Sequence, residues 1–70
     1  MALESRPEPA WAGLQVVARG RSHEYGNVIV AFLFKEQLYE VRTFAGLVRY
    51  PFRSQRAAFS FAAELCDEGE

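Results

Sequence analysis

The chain has 70 residues, half of them hydrophobic, and a formal net charge of −1. This length allows one domain, and the hydrophobic fraction excludes a wholly disordered chain. One cysteine and one histidine form neither an internal disulfide nor a zinc site, so self-association is the usual support left open to such a small core.

Residues 1–10 contain two prolines and alternating charges, which predicts a flexible N-terminal leader. The segment has neither the basic start nor the apolar stretch of a signal peptide. Together with the lone thiol, this favours a cytoplasmic protein. We expect a single domain over residues 11–67, followed by an acidic tail at 68–70.

The middle of the chain predicts an α+β fold with an antiparallel β-meander of three to four strands. Residues 28–34 form the longest uninterrupted apolar run, which is too short for a membrane span and typical of a strand. A turn-rich stretch over residues 20–27 predicts a loop. The strands are expected at about 14–19, 28–34, 38–44 and 47–52.

The side-chain period of two fixes the register of these strands. A hairpin tip at Lys35–Glu36 and another at Ala45–Gly46 independently place the same side chains on one face. The facing pairs would be Phe32 with Tyr39, Val30 with Val41, Val28 with Thr43, Thr43 with Val48, Val41 with Tyr50, and Tyr39 with Phe52.

A C-terminal helix is predicted over residues 55–66. Ser54 suits its N-cap, where a hydroxyl accepts a backbone N–H that has no partner in the helix. The apolar positions of the helix fill one broad stripe, so we expect the helix to pack on the aromatic face of the sheet.

The opposite face of the sheet is also apolar, which implies a second covering layer. Trp11 packed as a core plug, a second copy of the chain, or a different protein would each supply it. If a partner binds there, the predicted interface residues are Ile29, Leu33, Leu38, Phe44 and Leu47.

Four arginines and no acidic residue occur between Arg42 and Arg56. The predicted register sets Arg42 opposite Arg49 on the face away from the helix, where like charges are destabilising. Arg53 and Arg56 flank the helix N-terminus, which is already positive. These four arginines, with Phe44 at the hairpin tip, are the candidate contacts for nucleic acid or another anion.

An alternative interpretation of these arginines requires no ligand. Glu40 lies close enough to neutralise the Arg42–Arg49 pair, and arginine stems cover apolar surface by themselves.

Nothing in the sequence indicates an active site. Cys66 lies beside acidic residues at the C-terminal end of the helix, which disfavours a thiolate. His23 lies in a polar loop, and no phosphate-binding loop or hydrolase motif occurs. We therefore expect no enzymatic activity, no cofactor and no metal.

The span from Leu38 to Leu65 loosely resembles the AP2-like arm-binding modules of phage and transposon integrases. The likeness lies in the strand-to-helix junction from Tyr50 to Ser54 and in Ala58 and Ala62. Those modules lay a three-stranded sheet in the DNA major groove. The chain departs from them in its additional N-terminal strand and acidic balance, and no contact residue is carried over.

The leading hypothesis is a small non-enzymatic regulatory module that binds nucleic acid. The alternative is a protein–protein interaction domain, an inhibitor or adaptor, that uses the apolar sheet face, with a homodimer as one form of that interaction.

Overall fold

A computed structural model describes residues 3–45 and 49–66 of the chain. These residues form an α+β fold in which one helix packs against an antiparallel sheet. The elements are β1 (Glu4–Ser5), β2 (Leu14–Ser22), β3 (Gly26–Leu33), β4 (Leu38–Thr43), β5 (Arg49–Phe52) and α1 (Gln55–Leu65).

The sheet has five strands in the order β1-β2-β3-β4-β5, so the predicted number of three to four strands was too low. The additional strand, β1, has only two residues and lacks the alternating pattern that identifies a strand. Its backbone pairing continues beyond it, because the Glu8 N–H donates to the Val16 carbonyl oxygen at 2.9 Å. Leu3, just before β1, is buried in the core. Residues 4–8 of the segment predicted as a leader therefore form one edge of the sheet.

The loop between β2 and β3 is shorter than predicted, because both strands extend into it. Ser22 pairs with Gly26, and the buried Ser22 hydroxyl accepts the N–H groups of Glu24 and Tyr25, both at 3.1 Å. Gly26 has a φ of 73°, a conformation that glycine adopts without the steric penalty of a Cβ atom. A serine and a glycine thus close this hairpin.

The predicted register of β3, β4 and β5 is confirmed wherever the chain is described. Because all these pairs fall in one frame, the residues assigned to the helix side lie on one face. The predicted Thr43–Val48 pair lies outside the described residues. The observed pairs include Phe32 with Tyr39, Val30 with Val41, Val28 with Thr43, Val41 with Tyr50, Tyr39 with Phe52, and Arg42 with Arg49.

Helix α1 covers the face that carries the valines. Ser54 is its N-cap and accepts the Ala57 N–H at 3.1 Å, as predicted. Ala58 and Ala62 are fully buried against the sheet, since their small side chains allow the helix to approach closely. The helix ends at Leu65, and Cys66 is its C-cap.

Trp11 does not plug the second face: its side chain is 69% exposed. It begins a tight turn in which Trp11 and Leu14 exchange backbone hydrogen bonds of 2.9 and 3.0 Å. Both central residues have positive φ, 53° at Ala12 and 80° at Gly13, as a type I′ turn requires. This turn holds the indole at the end of the sheet, where it cannot cover the outer face.

The outer face, which we define as the sheet face away from α1, is covered largely by its own side chains. Ile29 is only 6% exposed, and it lies directly between Arg19 and Arg42 on the neighbouring strands. Arginine stems shield apolar surface while their charged ends stay in water. Glu8 pairs with Arg19, and Glu40 pairs with Arg42. These ion pairs restrain the charged ends of both arginine side chains.

We expect Ala12→Asn to stabilise the protein by about 0.5–1 kcal/mol, because asparagine tolerates the left-handed conformation that alanine resists. Equilibrium unfolding in urea measures the change. Ala10→Asn, at an exposed position without positive φ, is the matched control. Equal effects at the two positions would show that strain at residue 12 is not the cause.

The Glu8–Arg19 pair predicts an acid-dependent contribution to stability. The hydrogen bond from Arg19 lowers the pKa of the Glu8 carboxyl below its ordinary value. A carboxylate with a lowered folded-state pKa stabilises the fold above its unfolded-state pKa, and that contribution disappears as the pH falls through the folded-state value. Glu8→Gln should therefore be less stable than the parent at neutral pH and equally stable in strong acid. A constant difference across a pH series of urea unfolding curves would contradict this.

Candidate functional site

Arg42 and Arg49 lie directly opposite each other on the outer face, as the register predicted. The two arginines differ in their surroundings. The Arg42 Nε donates to the Glu40 carboxylate at 2.5 Å, and these side chains are 25% and 16% exposed. Arg49 is exposed, and no carboxylate of the described residues lies within 4.0 Å of it. One cation of the pair is neutralised and the other faces solvent.

A shallow pocket lies beside this pair. Its volume is about 140 Å³, and Phe44 at its rim is 54% exposed. Ile29 gives it an apolar floor, and the two guanidinium-bearing side chains give it polar walls. Ile29, Arg42, Thr43, Phe44 and Arg49 line it.

Arg53 and Arg56 are exposed where the chain passes from β5 into α1. The first turn of the helix has no acidic residue, and its last turn has no basic one. This distribution is the reverse of what the helix dipole favours. With a rise of about 3.3 Å per strand residue, Arg53 follows Arg49 by roughly 13 Å along the sheet edge.

Three arginines elsewhere in the chain have carboxylate partners. Arg6 pairs with Glu4 at 3.1 Å, Arg19 pairs with Glu8, and Arg42 pairs with Glu40. Within residues 3–45 and 49–66, none of the arginines at 49, 53 and 56 has such a partner. We call Arg49, Arg53 and Arg56 the basic strip.

Arg21 and Lys35 also have no carboxylate within 4.0 Å in the described part of the chain. Both are exposed. They lie outside the strip, Arg21 near the β2–β3 turn and Lys35 in the turn between β3 and β4.

The predicted protein-interface residues are less exposed than an open apolar face requires. Ile29 is buried, and Leu33 and Leu38 are half-buried. Phe44 is exposed, and Leu47 lies outside the described residues. The described interface residues therefore do not form an open apolar surface, whereas Phe44 lies with Arg49 at the pocket.

The sequence did not indicate that two aromatic side chains, Trp11 and Phe34, are exposed, and it placed Trp11 as a candidate core plug. They are 69% and 40% exposed and lie on neighbouring turns, since the Phe34 N–H donates to the Gly13 carbonyl oxygen at 3.0 Å. Gly13 is compatible with a turn there, but alanine at position 12 is not typical of the positive φ that a type I′ turn requires, so the sequence carried no clear signal for an exposed Trp11.

The residues considered for catalysis are not assembled into a site. Cys66 is buried at the end of α1, and His23 is exposed in the β2–β3 turn. Over the described ranges, no three histidine, cysteine, aspartate or glutamate side chains are placed to hold a metal ion. The one described helix is too short to cross a membrane.

Comparisons with protein-family models, with curated proteins and with solved structures found no significant match.

The Glu40 carboxylate should be coupled energetically to Arg42. Glu40→Gln leaves Arg42 facing Arg49 without a counter-charge, and we expect a loss of about 1–2 kcal/mol in the free energy of unfolding. Arg42→Gln removes one of the facing charges, so Glu40→Gln in that background should be much less damaging. Urea unfolding of the four proteins of this double-mutant cycle measures the coupling. Strictly additive effects would show that the ion pair does not relieve the repulsion.

Proposed function

We propose that this protein is a small non-enzymatic module that binds nucleic acid through the basic strip. The observation that carries the proposal is the uneven neutralisation of the arginines. Within the described residues, Glu4, Glu8 and Glu40 each pair with an arginine outside the strip. Positive charge is thereby left at Arg49, Arg53 and Arg56, where a phosphate backbone would supply the missing counter-charge.

The position of the strip suits a linear polyanion. Arg49 begins β5, the last strand of the sheet, and Arg53 follows it, so both are accessible from the edge. Arg56 lies beyond them in the first turn of α1. Phosphates along one strand of a duplex recur at about 3.4 Å of axial rise, and the roughly 13 Å from Arg49 to Arg53 spans several of them. The planar guanidinium group also matches phosphate oxygens in two-pronged hydrogen bonds.

Two further candidate residues have supporting roles. Arg42 shares its charge with Glu40, so we assign it a smaller share of the phosphate binding than Arg49. Phe44 is exposed at the pocket beside Arg49, where it can contact a sugar or a base.

The charge arrangement of α1 supports a binding role. Arg56 occupies the first turn of the helix, where an acidic side chain would stabilise the helix by about 0.3–1 kcal/mol. Residues that oppose local stability are typical of functional sites. An anion bound near Arg56 would reverse the penalty.

The alternative, a protein-interaction domain with a homodimer interface, has weaker support. It requires an accessible apolar outer face, whereas Val16, Ile29 and Ala31 are all buried there. Self-association stays a prediction.

The salt dependence of binding tests the proposal. Labelled single-stranded and duplex DNA would be titrated with the protein over a range of salt concentrations. Removing one phosphate contact should reduce the slope of log affinity against log salt by about 0.7–0.9. We expect Arg49→Ala, Arg53→Ala and Arg56→Ala each to do so and to weaken binding to all sequences alike.

Arg6→Ala is the matched control. This variant also removes one positive charge, but near β1, at the edge of the sheet opposite β5. Arg6 already has a carboxylate partner in Glu4. An equal effect of Arg6→Ala would indicate attraction to the whole molecule, and the strip would not be the site. No affinity for either DNA at low salt would refute the proposed function.

A further inference from the structure

Trp11 and Phe34 form a pair of exposed aromatic side chains at one end of the sheet, which we call the aromatic end. Trp11 is bonded to Leu14 through the tight turn, and Leu14 pairs with Leu33, the residue before Phe34. The Gly13–Phe34 hydrogen bond joins the two turns. The backbone at both side chains is therefore fixed, while the Trp11 side chain is largely in solvent and the Phe34 side chain is partly so.

The start of α1 lies at this same end of the sheet. Phe34 makes an edge-on ring contact with Phe32 at 5.1 Å, and Phe32 contacts Tyr39 at 4.9 Å. The Tyr39 hydroxyl in turn lies 3.4 Å from the Gln55 side-chain oxygen, in the first turn of the helix. Phe34 and the helix start are thus linked by three consecutive side-chain contacts.

Arg53 and Arg56 consequently lie at the same end of the sheet as the aromatic pair, on its β5 side. Arg53 follows β5, and β5 lies two strands from β3, a lateral distance of roughly 10 Å at the usual strand spacing. Lys35 and Glu36 lie in the turn between β3 and β4 and add one charge of each sign. The net positive charge at this end of the sheet therefore comes from the two arginines.

We propose that the aromatic end stacks on unpaired bases, so that the preferred ligand is a single strand. This inference rests on the proposed function and names its substrate class. Exposed aromatic rings beside arginines are the means by which proteins bind single strands without sequence preference, because every base has a face on which to stack. In a duplex the base faces are already stacked on one another and are not available to Trp11 or Phe34.

The arrangement also favours a strand over a flat anionic surface. The arginines continue from the aromatic end along the β5 edge to Arg49, roughly 13 Å away. A flexible chain can place its bases on the end of the sheet and its phosphates along the edge. A membrane surface would meet the end of the sheet alone and leave Arg49 without a partner.

Trp11 itself reports on the contact, because it is the only tryptophan in the chain. A single-stranded oligonucleotide of about 12 nucleotides, of mixed sequence, would be added to the protein and compared with the same strand annealed to its complement. We expect the single strand to quench the Trp11 fluorescence at concentrations at which the duplex leaves it unchanged.

The second readout is the fluorescence anisotropy of labelled oligonucleotides titrated with variants of the protein, which gives the binding affinity. Trp11→Ala should lower the single-strand affinity about tenfold and leave the duplex affinity unchanged, and Phe34→Ala should act in the same direction. Trp11→Phe keeps a stacking ring and should retain most of the affinity. Because Trp11 is mostly exposed, circular dichroism should show both Trp11 variants folded, and the same measurement checks Phe34→Ala, which also loses a ring contact with Phe32.

The possible results separate this inference from the proposed function. Equal binding of duplex and single strand, with no effect of Trp11→Ala, would overturn the stacking role while the basic strip still accounted for the salt dependence. A tryptophan response to phosphatidylserine vesicles and none to the oligonucleotide would assign the aromatic end to a membrane surface and overturn the inference. Absence of binding to either nucleic acid would refute both.

Discussion

The pairing of β4 with β3 on one side and β5 on the other is the constraint on which the rest of the structure depends. Since side chains alternate along a strand, this one frame determines both faces at once. It directs Val28, Val30 and Val41 toward α1, where all three are fully buried, and it sets Arg42 beside Arg49 on the outer face. A shift by one residue would expose the valines and bury the arginines, so the core and the candidate site cannot be varied independently.

A sheet that is apolar on both faces needs two covering layers, yet the described chain has only one helix. The structure resolves this with long charged side chains. Ile29 lies between Arg19 and Arg42, and Glu8 and Glu40 hold the two arginines. Those two carboxylates are thereby occupied in ion pairs on the outer face. The same arrangement therefore explains both the buried outer face and the lack of counter-charges along the basic strip.

The sequence was sufficient to predict the features that arise from local patterns: the β3–β4–β5 register, the Ser54 cap and the Arg42–Arg49 pair. It was insufficient for β1, whose two residues pair through backbone groups that carry no side-chain signal. The prediction that Trp11 is a core plug was wrong, because its position depends on the positive φ of Ala12. Alanine rarely adopts that conformation, so the sequence did not indicate it. The ion pair between Arg19 and Glu8 links β2 to the edge that contains β1. Because β1 was not predicted, this ion pair was not predictable either.

The conflict between charge and helix dipole at Arg56 connects stability with function. Ser54 already satisfies one backbone N–H of the first turn, so the cap partly compensates for the arginines around it. The remaining positive potential of Arg53 and Arg56 lies at the same end of the sheet as Trp11 and Phe34. An acidic residue in the first turn would stabilise the isolated helix and neutralise that potential. The fold therefore retains a local instability that a bound anion would relieve, and this is the physical reason why we propose a ligand at the junction of β5 and α1.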